Sequence, residues 1–266
     1  MPIITISRQL GSLGDEIAKV VADKFGYEYI EKSKISKVLS DQGFSAPEVE
    51  KYDEKKPSVW QSLSMQKTRF SHLIQAAVYE LAAHENVMIV GRGGQTILKD
   101  FPGTLHIRII APFETRLSRL IEQKQCDEKD AQRIIRQSDR DSSGYISAYF
   151  DADWDDRDLY DLVINTRTMS LDTCVATITC VVDADEFKKS SQPFEKFKDL
   201  ALTHKAQAFL LGIPRVGVTN VSVEKGVAIL SGLARTSEAI EECERALLNI
   251  KGITKVNNQM KKGSFA

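Results

Sequence analysis

Residues 3–6 form a short run of β-branched side chains, and Ile17, Val20, Val21 and Phe25 then recur at helical spacing up to Gly26, a suitable stop. The stretch between them, Ser7-Arg8-Gln9-Leu10-Gly11-Ser12-Leu13-Gly14, holds two glycines and reads as a loop. Residues 27–30 suit a second short strand. Over 62–84, Phe70, Leu73, Ile74, Ala77 and Leu81 share one face of an amphipathic helix. That helix leads into the continuous apolar run Val87-Met88-Ile89-Val90, as expected of a strand buried on both faces. A strand at 105–110, helices over about 112–124 and 128–139, a strand at 162–165 and a helix over 171–181 follow. Strands alternating with helices predict an α/β domain around a mainly parallel sheet. Residues 41–60, polar and broken by Pro47 and Pro57, read as a surface excursion.

The pattern changes near Asp185. Residues 186–204, rich in Lys, Ser and Glu and containing Pro193, suit a linker that enters a helix, so the expected division is 1–185, a linker over 186–204, and a module over 205–262. In the module a helical stretch precedes alternating valines at 216, 218, 221 and 223, whose phase shift marks a bulge or bend. Glu224-Lys225-Gly226 is a turn before a second strand. Ile240, Cys243, Leu247 and Ile250 line a helix, and alternation resumes at 256–260, giving an αββαβ order.

With 266 residues the chain is long for one small domain and comfortable for two. Lys and Arg number 36 against 37 Asp and Glu, a balance that argues against coating nucleic acid. No apolar run approaches the roughly 18–20 residues of a membrane span, and the N-terminus lacks a signal-peptide pattern, so a cytoplasmic location is expected. Four cysteines without CxxC spacing and four scattered histidines argue against a disulfide framework and a structural zinc site.

A strand feeding a glycine-containing loop that opens a helix is the geometry of a phosphate cradle. Here the loop lacks the lysine and hydroxyl of the G-x-x-x-x-G-K-[ST] pattern, with Gly14 and Glu16 in that stretch. Backbone amides hold phosphate without either, although a tight turn with no ligand explains the glycines equally well. Arg133, Arg136 and Arg140 fall on one helix face, matched to phosphate oxygens or simply solvated beside Asp139 and Asp141. Arg92, in Gly91-Arg92-Gly93-Gly94 directly after a buried strand, is better placed, because ligands of open α/β sheets sit at the strands' carboxyl ends. The aspartate-rich stretch 151–161 fits no calcium loop and reads as a capped turn around Trp154. Tyr145, Tyr149, Trp154 and Tyr160 read first as packing.

The run Ile4-Thr5-Ile6-Ser7-Arg8-Gln9-Leu10-Gly11-Ser12-Leu13-Gly14-Asp15-Glu16-Ile17-Ala18 resembles the opening of the cytidylate kinase-like family, which carries S-R-x-x-G-S-x-G-x-x-I-A there. The resemblance continues through Val90-Gly91-Arg92-Gly93-Gly94, Arg136-Gln137-Ser138-Asp139-Arg140 and residues 160–166, covering about 1–182. It implies a P-loop kinase-like α/β fold, a parallel sheet with helices on both faces. It also implies ATP with Mg2+ as donor pair, and a nucleoside monophosphate or similar small phosphorylated acceptor. Ser7, Arg8, Gly11, Ser12 and Gly14 would then form the phosphate loop, while Glu31, Lys32 and Arg92 bind the acceptor. Arg133, Arg136 and Arg140 would belong to a lid, with catalysis resting on Arg8, Arg136 and Arg140; no metal ligand is assigned. Val90 stands where an acidic residue would help organise magnesium. Residues 205–262 resemble a BON domain, a small α+β module that implies a protein or lipid partner. The alternative reading is a catalytically inactive nucleotide sensor that signals through this module.

Overall fold

The computed structural model describes residues 1–41, 65–188, 193–214 and 216–263. The polar excursion at 41–60 lies almost entirely outside them. The described residues group into two units, one of 1–41 and 85–188, the other of 65–84 and 193–263.

In the first unit the elements are β1 (Ile3–Arg8), α1 (Gly14–Phe25), β2 (Glu28–Ile30) and α2 (Lys32–Asp41). The second unit supplies the next helix in chain order, α3 (Met65–Ala82). The first unit resumes with β3 (Val87–Val90), α4 (Gly94–Ile97), β4 (Thr104–Ile110), α5 (Phe113–Lys124), α6 (Glu128–Phe150), β5 (Leu162–Asn165), α7 (Leu171–Val182) and α8 (Asp185–Lys188). Its five strands run parallel in the order β2-β3-β1-β4-β5. The chain winds to one side of β1 through β2 and β3 and to the other through β4 and β5. β1 therefore sits at the reversal point, where open α/β sheets hold ligands beyond the strand ends. Ile4, Ile6, Met88, Ile107 and Ile109 of the sheet bury against Ile17 and Val21 of α1 and Ile178 of α7. Fully burying each such side chain contributes about 1.5–3 kcal/mol, so the sheet is a stiff base for the loops at its edge.

The helix expected over 128–139 runs on to Phe150, because buried Tyr145, Ile146 and Tyr149 continue the spacing begun by Ala131 and Ile135. Asp127 caps its start by accepting from the Asp130 amide at 2.8 Å. The aspartates beyond it cap turns, as the sequence suggested: Asp153 accepts from Asp155 N and Asp156 from Asp158 N. Among the described residues no cluster of His, Cys, Asp or Glu is arranged to hold a metal ion.

The second unit contains α3, α9 (Phe194–Leu210), β6 (Val216–Glu224), β7 (Val227–Ala234), α10 (Ser237–Leu248), β8 (Lys255–Asn258) and β9 (Lys261–Lys262). The αββαβ order holds, and the β6–β7 register shifts between Val216 and Thr219, where the valine phase changes. Lys225 and Gly226 both take positive φ, as a two-residue hairpin turn requires. Two features differ from the sequence-based division. Residues 194–204, read as linker, are the first part of α9. And α3 belongs here, not with residues 1–185: Tyr79 stacks on Phe197 at 6.2 Å, and Arg69 Nε donates to the Ala208 carbonyl at 3.1 Å. The amphipathic pattern of α3 showed that one face was buried, but nothing local says against what. Among the described residues no helix is long and apolar enough to cross a membrane.

His72 of α3 and His204 of α9 meet at 2.8 Å through their Nδ1 atoms. Burial, followed by the influence of His72, holds His204 down to about 4, and burial lowers His72 as well. Histidines in the unfolded chain take up protons near 6.5. Below that pH the unfolded state binds more protons than the folded one, so stability falls as pH drops from 6.5 toward 4. Thermal melts at pH 7, 6 and 5 should show Tm falling more steeply for the wild type than for His72→Gln/His204→Gln. Parallel slopes would mean that the pair plays no part.

Candidate active site

β1 ends at Arg8, and the chain turns through Gln9–Leu13 into α1. Gln9 N donates to Ile109 O at 3.0 Å, and Gln9 Oε1 accepts from Ala111 N at 3.2 Å, which ties the loop's entry to the end of β4. The next three carbonyls are held from behind. Leu10 O accepts from Arg116 Nη1 at 3.4 Å, Gly11 O from Arg119 Nη1 at 3.2 Å, and Ser12 O from Thr166 Oγ1 at 2.8 Å. A trans peptide points its N–H opposite to its C=O, so these bonds turn the amides of Gly11 and Leu13 to the other side. That arrangement suits an anion. Gly11 and Leu13 both take positive φ, and a Cβ at Gly11 would lie 2.9 Å from Arg116 O, so only glycine fits there. The Ser12 hydroxyl is fully buried and has no hydrogen-bond partner among the described residues.

In front of the loop lies a cavity of about 610 Å³, within the range of small-molecule sites. Arg8, Lys19, Lys32 and Arg119 reach it, and so do Asp15, Glu16, Glu31 and Glu122. Tyr29 also lines it; burial, with Asp15 adding to the effect, pushes its phenol up to about 12, so it stays a hydrogen-bond donor. Arg8 Nε is bonded to Asp15 Oδ1 at 2.8 Å. The stem of Arg8 crosses the space over Gly14: a Cβ there would lie 2.7 Å from Arg8 Cγ and closer still to Arg8 Cβ.

A second cavity, of about 20 Å³, opens at the end of β3 and is lined by Ser7, Arg8, Arg92, Gln95, Tyr145 and Trp154, among others. Gly91, Arg92 and Gly93 take positive φ in succession, and a Cβ at Gly93 would run into the Phe150 ring. An arginine held left-handed is strained, a condition that clusters at functional sites. Ser7 is pinned from across the sheet, its Oγ accepting from Trp154 Nε1 at 2.9 Å and Arg108 Nη1 at 3.2 Å. Arg108 in turn stacks on Trp154 with its Cζ 4.1 Å from the ring centroid and pairs with Asp155. Trp154, and Tyr145 and Tyr149, are thus buried as packing residues, while Trp154 and Tyr145 also face this cavity.

Ser7, Arg8, Gly11, Ser12, Gly14, Glu31, Lys32 and Arg92 are therefore gathered along one edge of the sheet. Arg133, Arg136 and Arg140 are not. They lie on the exposed side of α6, where Arg133 pairs with Asp130, Arg136 lies over Phe113 and Arg140 donates to Gln137. Their neighbour Asp139 turns inward to hold Arg116 in two bonds of 2.9 and 2.8 Å. Arg116 and Arg119, which clamp the loop, escaped the sequence reading, although their spacing of three on a helix is the signal that singled out the α6 arginines.

The profile of the cytidylate kinase-like family matches residues 3–168, and that of the BON domain matches 199–262. A cytidylate kinase of Pyrococcus horikoshii is 25% identical over 183 residues, which are 68% of this chain and 88% of that protein. One from Archaeoglobus fulgidus is 26% identical over 187 residues, 70% of this chain and 97% of that one. Among solved structures, an uncharacterized protein from Eubacterium ventriosum superposes with a TM-score of 0.53 at 24% identity, over 69% of this chain and 99% of the other. The loop, the sheet order and these matches agree, and the chain belongs to the cytidylate kinase-like family, with a BON domain following its kinase-like part.

Proposed function

We propose that the chain is a phosphotransferase that moves the γ-phosphoryl group of ATP onto a nucleoside monophosphate or a similarly small acceptor. The observation that carries this reading is the position of Arg8, a residue that lines both cavities. A phosphoryl group in transfer passes between donor and acceptor oxygens with its charge spread over three others, and a forked cation between the two cavities is where that charge develops. The bond from the γ-phosphorus to its bridging oxygen breaks, and an acceptor oxygen forms the new bond to phosphorus. Loop residues Ser7–Gly14 would cradle the donor phosphates. Arg92 would grip the acceptor's phosphate, with Glu31 and Lys32 at the rim of the larger cavity contacting the rest of it. Arg136 and Arg140, with Arg133, would reach the donor through an inward swing of α6.

The larger cavity carries as many carboxylates as cations, a poor host for ATP alone and a fit for ATP with Mg2+. Glu16 would then be the ion's protein oxygen, the remaining positions going to phosphate and water, and the ion would supply charge neutralisation. The test is a coupled ATP-consumption assay against a panel of nucleoside monophosphates, with turnover expected on at least one. ATP binding without turnover on any would overturn the proposal and leave the nucleotide sensor, its BON domain reporting to a protein or lipid partner.

A further inference from the structure

The α5–α6 hairpin has a core of its own, Leu117, Leu120, Ala131 and Ile135, and Leu10 of the loop packs against it. The carbonyl of the same Leu10 is met by Arg116 Nη1, and Arg116 is 4% exposed. A guanidinium is always charged, so burying one calls for a counterion. Asp139 of α6 supplies it, with one carboxylate oxygen on each of Nη1 and Nη2. Two parallel bonds to one carboxylate fix the plane of the fork. The Nη1 proton that Asp139 leaves over is the one that reaches Leu10 O. Arg116 Nε is buried with no hydrogen-bond partner among the described residues, so that edge does not help to hold the plane. Leu10 C=O and Gly11 N–H belong to one trans peptide and point opposite ways, so whatever turns the carbonyl turns the amide. Gly11 lines the loop cavity, whereas Arg116 and Asp139 line neither cavity and therefore act on a ligand only through the loop.

We infer that Asp139 is a positioning residue for nucleotide binding: through Arg116 it holds the Leu10–Gly11 peptide with its amide turned toward the loop cavity. The inference rests on the phosphotransferase reading only for the loop as donor site. Its test is a binding measurement and needs no turnover. A non-hydrolysable ATP analogue with Mg2+ is titrated calorimetrically into the full chain and its variants, with thermal melts in parallel. Asp139→Asn keeps the shape but sets an amide N–H against a guanidinium N–H. It should lower Tm and weaken the analogue about tenfold or more, the loss of one hydrogen bond to a charged group. Arg116→Met/Asp139→Leu removes both charges at similar bulk, a replacement that often leaves stability level or raised. Its Tm should recover while the analogue stays weak, because nothing then holds Leu10 O. Ile135→Ala loosens the same helix and leaves the pair in place, so Tm should fall and affinity hold. An affinity that returns with Tm in the double variant would overturn the inference and make the pair structural. So would an affinity that falls as far in Ile135→Ala as in Asp139→Asn, and this comparison decides if the double variant does not fold. Unchanged affinity in Asp139→Asn would overturn the inference alone. A wild type that does not bind the analogue would overturn it together with the phosphotransferase reading.

Discussion

Replacing Gly14 with lysine, the residue that phosphate loops of the G-x-x-x-x-G-K-[ST] pattern carry in this stretch, is expected to lower ATP affinity rather than raise it. Any Cβ at 14 lies well inside contact distance of the Arg8 stem, and a stem, unlike the tip of a long side chain, moves only with its backbone. Alanine alone should therefore cost about 1–3 kcal/mol of stability, the scale of overpacking. It should also push Arg8 from the mouth of the loop and weaken ATP about tenfold or more. Lysine brings the same clash with a longer chain. The sequence has in effect moved its cation from the end of the loop to the beginning, and glycine from the beginning to the end. The double variant Arg8→Gly/Gly14→Lys reverses that exchange and should bind ATP better than Gly14→Lys alone. Calorimetry on the four proteins gives a double-mutant cycle with strong coupling expected. Additive losses would show that the two side chains do not compete for one space.

How far the sequence reveals this site depends on whether the signal is local. The Ser7–Gly14 loop, the helix behind it and Arg92 were legible because strand, glycines and helix lie within a few residues of one another. The mainly parallel sheet followed from the alternation of strands and helices, and five parallel strands bear it out, whereas the central place of β1 came only with the structure. What the sequence did not convey is pairing across long separations. Arg116 and Arg119 lie more than a hundred residues from the carbonyls they hold, and Trp154 lies as far from Ser7. Asp139 read as part of a solvated helix face, because the side of α6 that meets α5 shows only once Arg116 is in place.

The same limit explains α3. Its apolar face was visible, and the natural reading placed it with the strand it leads into, since sequential elements are usually neighbours in space. The chain instead lends it to the C-terminal unit, where α9 meets it through His204, Phe197 and the Ala208 carbonyl. Only the partner helix, some 130 residues on, carries that information.

Arg8→Ala is expected to cut kcat by an amount approaching the roughly 10³-fold lower end known for arginine fingers, with a smaller change in KM for ATP. The asymmetry follows from position. In the proposed reaction the loop amides and the α1 N-terminus would hold the donor's ground-state charge, whereas Arg8, lining both cavities, would meet the charge that appears as the phosphoryl group leaves one for the other. Asp15 fixes the Nε edge of the guanidinium, so the fork approaches from one set direction. Arg8→Lys should recover less than about a tenth of the lost rate, because an ammonium is a point charge without that second edge and Asp15 would capture it. Arg136→Ala and Arg140→Ala separate a lid from a solvated face. Both residues are exposed and make few internal contacts, so Tm should hold, while a kcat loss of similar order is expected from an α6 that closes over the donor. Steady-state kcat and KM on whichever nucleoside monophosphate the panel selects decide all four variants. A kcat for Arg8→Lys equal to that of wild type would mean that charge alone suffices. Unchanged rates at Arg136 and Arg140 would leave Arg8 to work with Arg119, the other arginine that already lines the loop cavity.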